Sequence, residues 1–321
     1  MVAEDSTGRR SHRAVGLTLA AALLAGGAVA VQATRSSGSV TAAPHPVSAA
    51  TGGLLDMSAR DRAVADRARL RTKGPRIVPA PTSKQPECRL DLGYGVWALD
   101  VTAARTLTML GAVAYRDGLS YGKAARAFER SLTQEGRLPM TAERARREIR
   151  HKRLHPIPRT TSLDAIHALF RPRALTCVTP QRSMPAQPMM TNGLTLRTVT
   201  MIRGWAEAYG GRPIGGFAPG GVSHGHIENS AHYDGRAVDI FFSLSDPDNR
   251  ARGWLLTHWL VAHADYYQIA TLIFDDALWS NLNSTLGWRP YVHPSGDVTN
   301  PTLRHLDHIH ADVVHGYPLP E

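Results

Sequence analysis

Cysteine is nearly absent: Cys88 and Cys177 are the only two in 321 residues. That excludes a fold stapled by several disulfides and leaves room for one bridge in an exported chain. Acidic charge is also scarce. Twenty-seven Asp and Glu face 37 Lys and Arg, a formal charge of +10. Such a surface suits a partner rich in phosphate or carboxylate, whether nucleic acid or an anionic cell wall. Aromatic side chains are missing from the most basic stretch, which runs from Arg144 to Arg159. Single-stranded nucleic acid needs aromatic faces between the cations, so that class is set aside. The run reads as a solvated helix face ended by Pro156 and Pro158.

Charge is absent again from Ala14 to Val31, just after Arg9, Arg10 and Arg13. A basic flank, an apolar run and small residues (Ala28-Val-Ala30, Val31-Gln-Ala33) make an export signal. The run is also long enough for a retained membrane anchor. Residues 1–33 are therefore expected to be a signal peptide or anchor, with the rest extracytoplasmic, secreted or held at the membrane by that helix. An export signal argues against a DNA-binding role. Residues 34–87 are rich in Ser, Ala, Gly, Pro and Arg and read as a low-complexity linker. A short helix from Ser58 to Lys73 is expected within it.

From Cys88 to about residue 180 the pattern is helical, with helices over Ala104 to Arg116 and Tyr121 to Leu132. This module weakly resembles the helical start of lysozyme-like transglycosylases, whose catalytic glutamate would fall at Glu135. The Gly/Gln/Phe-rich stretch of that family is missing, so Glu135 reads as a solvated charge. Residues 191–321 mix helices and strands. Helices are expected over Leu194 to Tyr209 and Asn249 to Ala264. Strands are expected over Arg212 to Phe217, Arg236 to Phe242, Tyr267 to Phe274 and His308 to Val314. Without long parallel crossovers this is an α+β domain on a small antiparallel sheet.

Two stretches carry chemistry. In Ser230-Ala-His-Tyr-Asp-Gly-Arg-Ala-Val-Asp239, a histidine and a carboxylate flank a turn where Gly235 can take positive φ. On the strand that follows, Ala237, Asp239 and Phe241 share one face. A buried aspartate there is costly unless paired or bound to a metal. In His305-Leu-Asp-His-Ile-His310, His308 and His310 project from one face of a strand. Two histidines and one carboxylate leave a metal one open coordination position, as catalytic zinc sites do. The same donor set also holds non-haem iron.

The spacing Ser-x-His-x-x-Gly-x-Ala-x-Asp with a late His-x-His resembles the zinc D-Ala-D-Ala peptidases and the phage L-alanyl-D-glutamate endopeptidases. Its wording is also similar to the zinc site of the Hedgehog signalling domain. The resemblance spans roughly Gly193 to Val314. It implies an antiparallel sheet with flanking helices, and Zn2+ held by His232, Asp239 and His310. It further implies a peptidase acting on peptidoglycan stem peptides or crosslinks. Asp307, three before the last histidine, falls on the endopeptidases' base, and His308 would stabilise the transition state. His308 is also a rival for the base, because it lies on the metal side and titrates near neutral pH. On a regular strand Asp307 would face away from the two histidines, so its role needs the strand to begin after it. The loop Gly215-Gly-Phe-Ala-Pro-Gly-Gly221 lacks the arginine with which many relatives hold a substrate carboxylate; Arg236 and Arg203 are the substitutes at hand. His224 and His226 are loop positions that could line a cleft. Asp275 and Asp276 are expected to form a turn or cap. The competing reading is a non-catalytic wall- or ligand-binding module on the same scaffold.

Overall fold

The computed structural model describes residues 87–134, 139–151 and 161–317. The expected signal or anchor, all of the linker but its last residue, the Ser58–Lys73 helix, Glu135 and the basic residues from Lys152 to Arg159 lie outside the described residues. Among the described residues no helix is long and apolar enough to cross a membrane. The fold is α+β, as the patterning predicts, but with two antiparallel sheets where one was expected.

The first sheet corrects the purely helical reading of the stretch from Cys88. Strands β1 (Cys88–Asp91), β2 (Val96–Leu99) and β3 (Leu175–Cys177) pair in the order β2-β1-β3. Strands of three or four residues are too short for a period-two pattern to stand out. Cys88 sits opposite Cys177 in the β1–β3 register, and the two form a disulfide. Between them come helices α1 (Val101–Arg116), α2 (Tyr121–Leu132), α3 (Ala142–Arg150) and α4 (Thr161–Ala168). Asp100, Ser120 and Thr141 each cap a helix by accepting from a main-chain N–H three residues on. Helix α1 is buried along its length from Ala103 to Ala114, apart from Arg105. Its small side chains let neighbours close in; Gly111, for one, lies against Leu169.

The second sheet carries the two motifs. Its order is β4 (Ile214–Gly215), β5 (Ala237–Phe241), β9 (His308–Val313), β6 (Ile269–Phe274), β7 (Ala277–Ser280), β8 (Arg289–Pro290). Strand β9 is the last in the chain and inserts between β5 and β6. Helices α5 (Leu196–Tyr209), α6 (Asn249–Ala262) and α7 (Ala264–Tyr267) accompany it. Val238, Ile240, Leu272, Phe274, Ile309, Ala311 and Val313 are buried in one apolar core, which α5 and α6 share with α1. Alternation sends Asp239, His308, His310 and Asp312 to the other face. Between β6 and β7, Asp275 and Asp276 both take positive φ, 54° and 55°, as a two-residue hairpin turn requires.

Two stability predictions follow from this core. The disulfide closes a loop with a sequence separation of 89. In the chain-entropy account, Cys88→Ala with Cys177→Ala costs on the order of 4 kcal/mol, read as a lower urea midpoint with a steeper slope, since the unbridged unfolded chain exposes more surface. His258 on α6 and His263, which caps the end of that helix, are buried and donate from Nδ1 to the carbonyls of Leu169 and Trp259. Burial pushes them down to about 4 and about 3. An unfolded histidine takes its proton near 6.5, so below that pH the unfolded chain binds more protons and stability falls. Melting temperatures are expected to drop between pH 6.5 and 4.5, and less steeply in a His258→Gln/His263→Gln variant. Equal slopes would rule these histidines out as the cause.

Candidate metal centre

The first motif is shaped by two glycines. Gly235 closes the turn at φ 67°, and a Cβ there would lie 2.6 Å from the Gly193 carbonyl oxygen. Its own carbonyl accepts from Thr195 N and Thr198 Oγ1 at the start of α5, which fixes the turn to the helix. Gly216, at φ 79°, follows β4. A Cβ on it would come within 2.3 Å of the His232 ring and 2.8 Å of Asp239 Oδ2. The chain passes so close because the Gly216 carbonyl accepts from His232 Nδ1 at 2.7 Å.

That bond decides the chemistry of His232. With its proton on Nδ1, the lone pair is on Nε2. The same logic holds for its neighbours. His308 Nδ1 donates to Asp307 Oδ1 at 2.7 Å, and His310 Nε2 donates to Asp312 Oδ2 at 3.3 Å. Each neutral ring then turns a bare nitrogen towards Asp239 Oδ1: His232 Nε2 at 3.3 Å, His310 Nδ1 at 3.4 Å and His308 Nε2 at 3.7 Å. Asp239 is directly opposite His310 in the sheet, 7% exposed, and its Oδ1 is buried without a hydrogen-bond partner. Lone pairs facing a buried carboxylate oxygen repel unless a cation lies between them.

The spacing suits a small divalent ion. His232 Nε2 and His310 Nδ1 are 3.1 Å apart, which with 3.3 and 3.4 Å to Asp239 Oδ1 makes a near-equilateral triangle. A tetrahedral site with bonds of about 2.0 Å has edges of about 3.3 Å. The carboxylates and carbonyl behind the histidines fix ring orientation and raise donor strength, as outer partners of metal ligands do. The donor atoms of His226, His232 and Asp239 also lie within 4.8 Å of one another, a second His–His–Asp grouping that could hold the ion.

The cluster thus brings together His232, Asp239, His308 and His310. Asp307 lies just before β9 and behind His308 rather than at the centre, its Oδ2 accepting from Thr302 Oγ1 at 2.7 Å. Burial alone would raise its carboxyl, but His308 and Thr302 hold it below the usual range. Arg236 is committed to Asp234 and the Val313 carbonyl. Arg304 pairs with Asp276, and Asp275 accepts from Trp254 Nε1 and pairs with Arg250, so the two aspartates anchor the turn. His224 is exposed, beside Ser223. His226, expected only as a loop residue that could line a cleft, is stacked on His232 with ring centres 3.9 Å apart. Two contributors escape sequence reasoning: His305, 4.6 Å from the His308 ring, and Asp312. Only Asp312 left a trace, as the next same-face residue after His308 and His310.

With no metal bound, the cluster meets its charge with a proton. Burial opposes charge on His310, but the carboxylates of Asp239 and Asp312 raise it to about 9. Burial would likewise raise Asp239, but positive charge among the imidazoles of His232, His308 and His310 holds it well below the carboxylate range. A divalent ion must displace the His310 proton. Calorimetry at pH 7 in buffers of different ionisation enthalpy is expected to show about one proton released per ion bound. Zero release would contradict this assignment.

Residues 190–305 match the family described as VldE, C-terminal domain. The match takes in α5, β4 to β8 and the turn with His232 and Asp239, and stops three residues short of His308. No curated protein and no solved structure matches the chain.

Proposed function

We propose that the chain is an exported zinc-dependent peptidase that hydrolyses amide bonds in peptidoglycan stem peptides or crosslinks. The observation that carries the reading is the convergence of His232 Nε2, His310 Nδ1 and the orphaned Asp239 Oδ1, with a further imidazole beside them. Two nitrogens and one oxygen suit zinc, and the motif order favours zinc over iron. Held by His232, Asp239 and His310, zinc would supply Lewis-acid polarisation of an amide carbonyl and a water acidified towards a pKa of about 7.

The chain's own residues supply the proton handling. His308 Nε2 points to the cluster while Nδ1 is held by Asp307. That pairing orients the ring and stabilises it once protonated. His308 therefore takes the proton of the attacking water and delivers it to the leaving nitrogen. Asp307 serves it from behind rather than acting as the base itself. The positive chain suits an anionic wall polymer. The missing loop arginine, with Arg236 committed elsewhere, favours cleavage within a peptide over removal of a terminal residue.

The test is amine release from purified peptidoglycan by the zinc-loaded protein. His308→Ala is expected to lower kcat about 10²–10⁴-fold, and Asp307→Asn to lower it with an altered pH profile. Zinc-loaded wild type that sediments with wall material but releases no amine would establish the binding-module reading instead.

A further inference from the structure

The cluster holds more imidazoles than a three-ligand site needs. His308 is accounted for by Asp307; His226 is not. Every other ring there has a committed nitrogen: His232 on Gly216, His305 on Leu303, His308 on Asp307 and His310 on Asp312. Among the described residues, neither ring nitrogen of His226 has a hydrogen-bond partner. Its main chain is pinned all the same. Tyr233 Oη accepts from His226 N at 3.1 Å and donates to His226 O at 2.7 Å. The backbone is thus held over the site, while ring stacking on His232 and an edge contact with Tyr233, rather than any hydrogen bond, position the side chain.

The position is close but not yet ligating. His226 lies parallel to His232, at 11° and 3.9 Å between ring centres. An ion in the plane of one ring is off the plane of the other, so the two cannot share it as stacked. Yet a His226 nitrogen lies within 4.8 Å of the donor atoms of both His232 and Asp239. Rotation of the ring out of the stack bridges that gap, and no hydrogen bond opposes it.

We propose that His226 is a displaceable fourth protein ligand, which closes the coordination place left by His232, Asp239 and His310 until substrate competes for it. This rests on the metal reading above. The device makes the resting site four-coordinate and less reactive, since a closed site has no place for water. A substrate group that takes the fourth place would return His226 to its stack on His232.

The experiment compares full-length wild type, His226→Phe and Tyr233→Phe, stripped of metal and reloaded with Zn2+. Phenylalanine keeps the stacking ring and removes the donor. X-ray absorption is expected to count one imidazole fewer on zinc in His226→Phe. Competition titration is expected to show affinity weakened at least about tenfold. Tyr233→Phe, which keeps the donor but frees its backbone, should fall between the two. Equal affinity and equal imidazole count in wild type and His226→Phe would overturn the proposal and leave the metal site standing. A wild type that binds no zinc would end both. If His226→Phe fails to fold, the wild-type count decides: a zinc with only two imidazoles overturns the proposal.

Discussion

A buried carboxylate oxygen surrounded by nitrogen lone pairs is the constraint on which this domain depends. Asp239 Oδ1 lies on β5 beside β9, and His232, His308 and His310 around it each have an N–H turned outward. Such an arrangement has no neutral resting state of low energy; it requires positive charge. A proton on His310 or a divalent ion satisfies it. The rest of the local architecture keeps the lone pairs aimed inward. Gly216 gives up a side chain so that its carbonyl can reach His232, and Asp312 and Asp307 hold the two strand histidines.

The sheet provides the rigidity for this. The site's strand residues come from β5 and β9, paired so that Asp239 faces His310 and Phe241 faces His308. One face of these strands is sealed into the core shared by α1, α5 and α6. A register slip by one residue would turn Asp239 and both histidines into that core and their apolar neighbours out. Burial of Val238, Ile240, Ile309 and Ala311 therefore fixes the position of the chemistry on the other side.

How far the sequence revealed this varies with the range of the interaction. The alternation after Gly235 and the His-x-His spacing put Asp239, His308 and His310 on strand faces because strand geometry is local, whereas His232, in the turn, was pointed out only by the motif's resemblance. The two longest helices before residue 150 were readable for the same reason. The β1–β3 sheet was not: its strands are short, and its register depends on a partner more than eighty residues away. His226 carried no periodic signal, being in an irregular loop, and its stacking on His232 is wholly tertiary. Asp307 shows a subtler limit. Its place in the sequence pointed to a base, but only the bond to His308 reveals that its carboxylate faces the ring. Gly216 could not be distinguished from its neighbour Gly215 without the approach of His232.

The central insertion of β9 has one further effect. Until that strand docks, β5 and β6 have no common neighbour and the sheet exists as two separate halves. The undocked molecule holds His232 and Asp239 but neither His308 nor His310. Closing a gap of some seventy residues is entropically slow compared with forming any single hairpin. Half-folded copies therefore carry only part of the cluster, which is completed when β9 docks between β5 and β6.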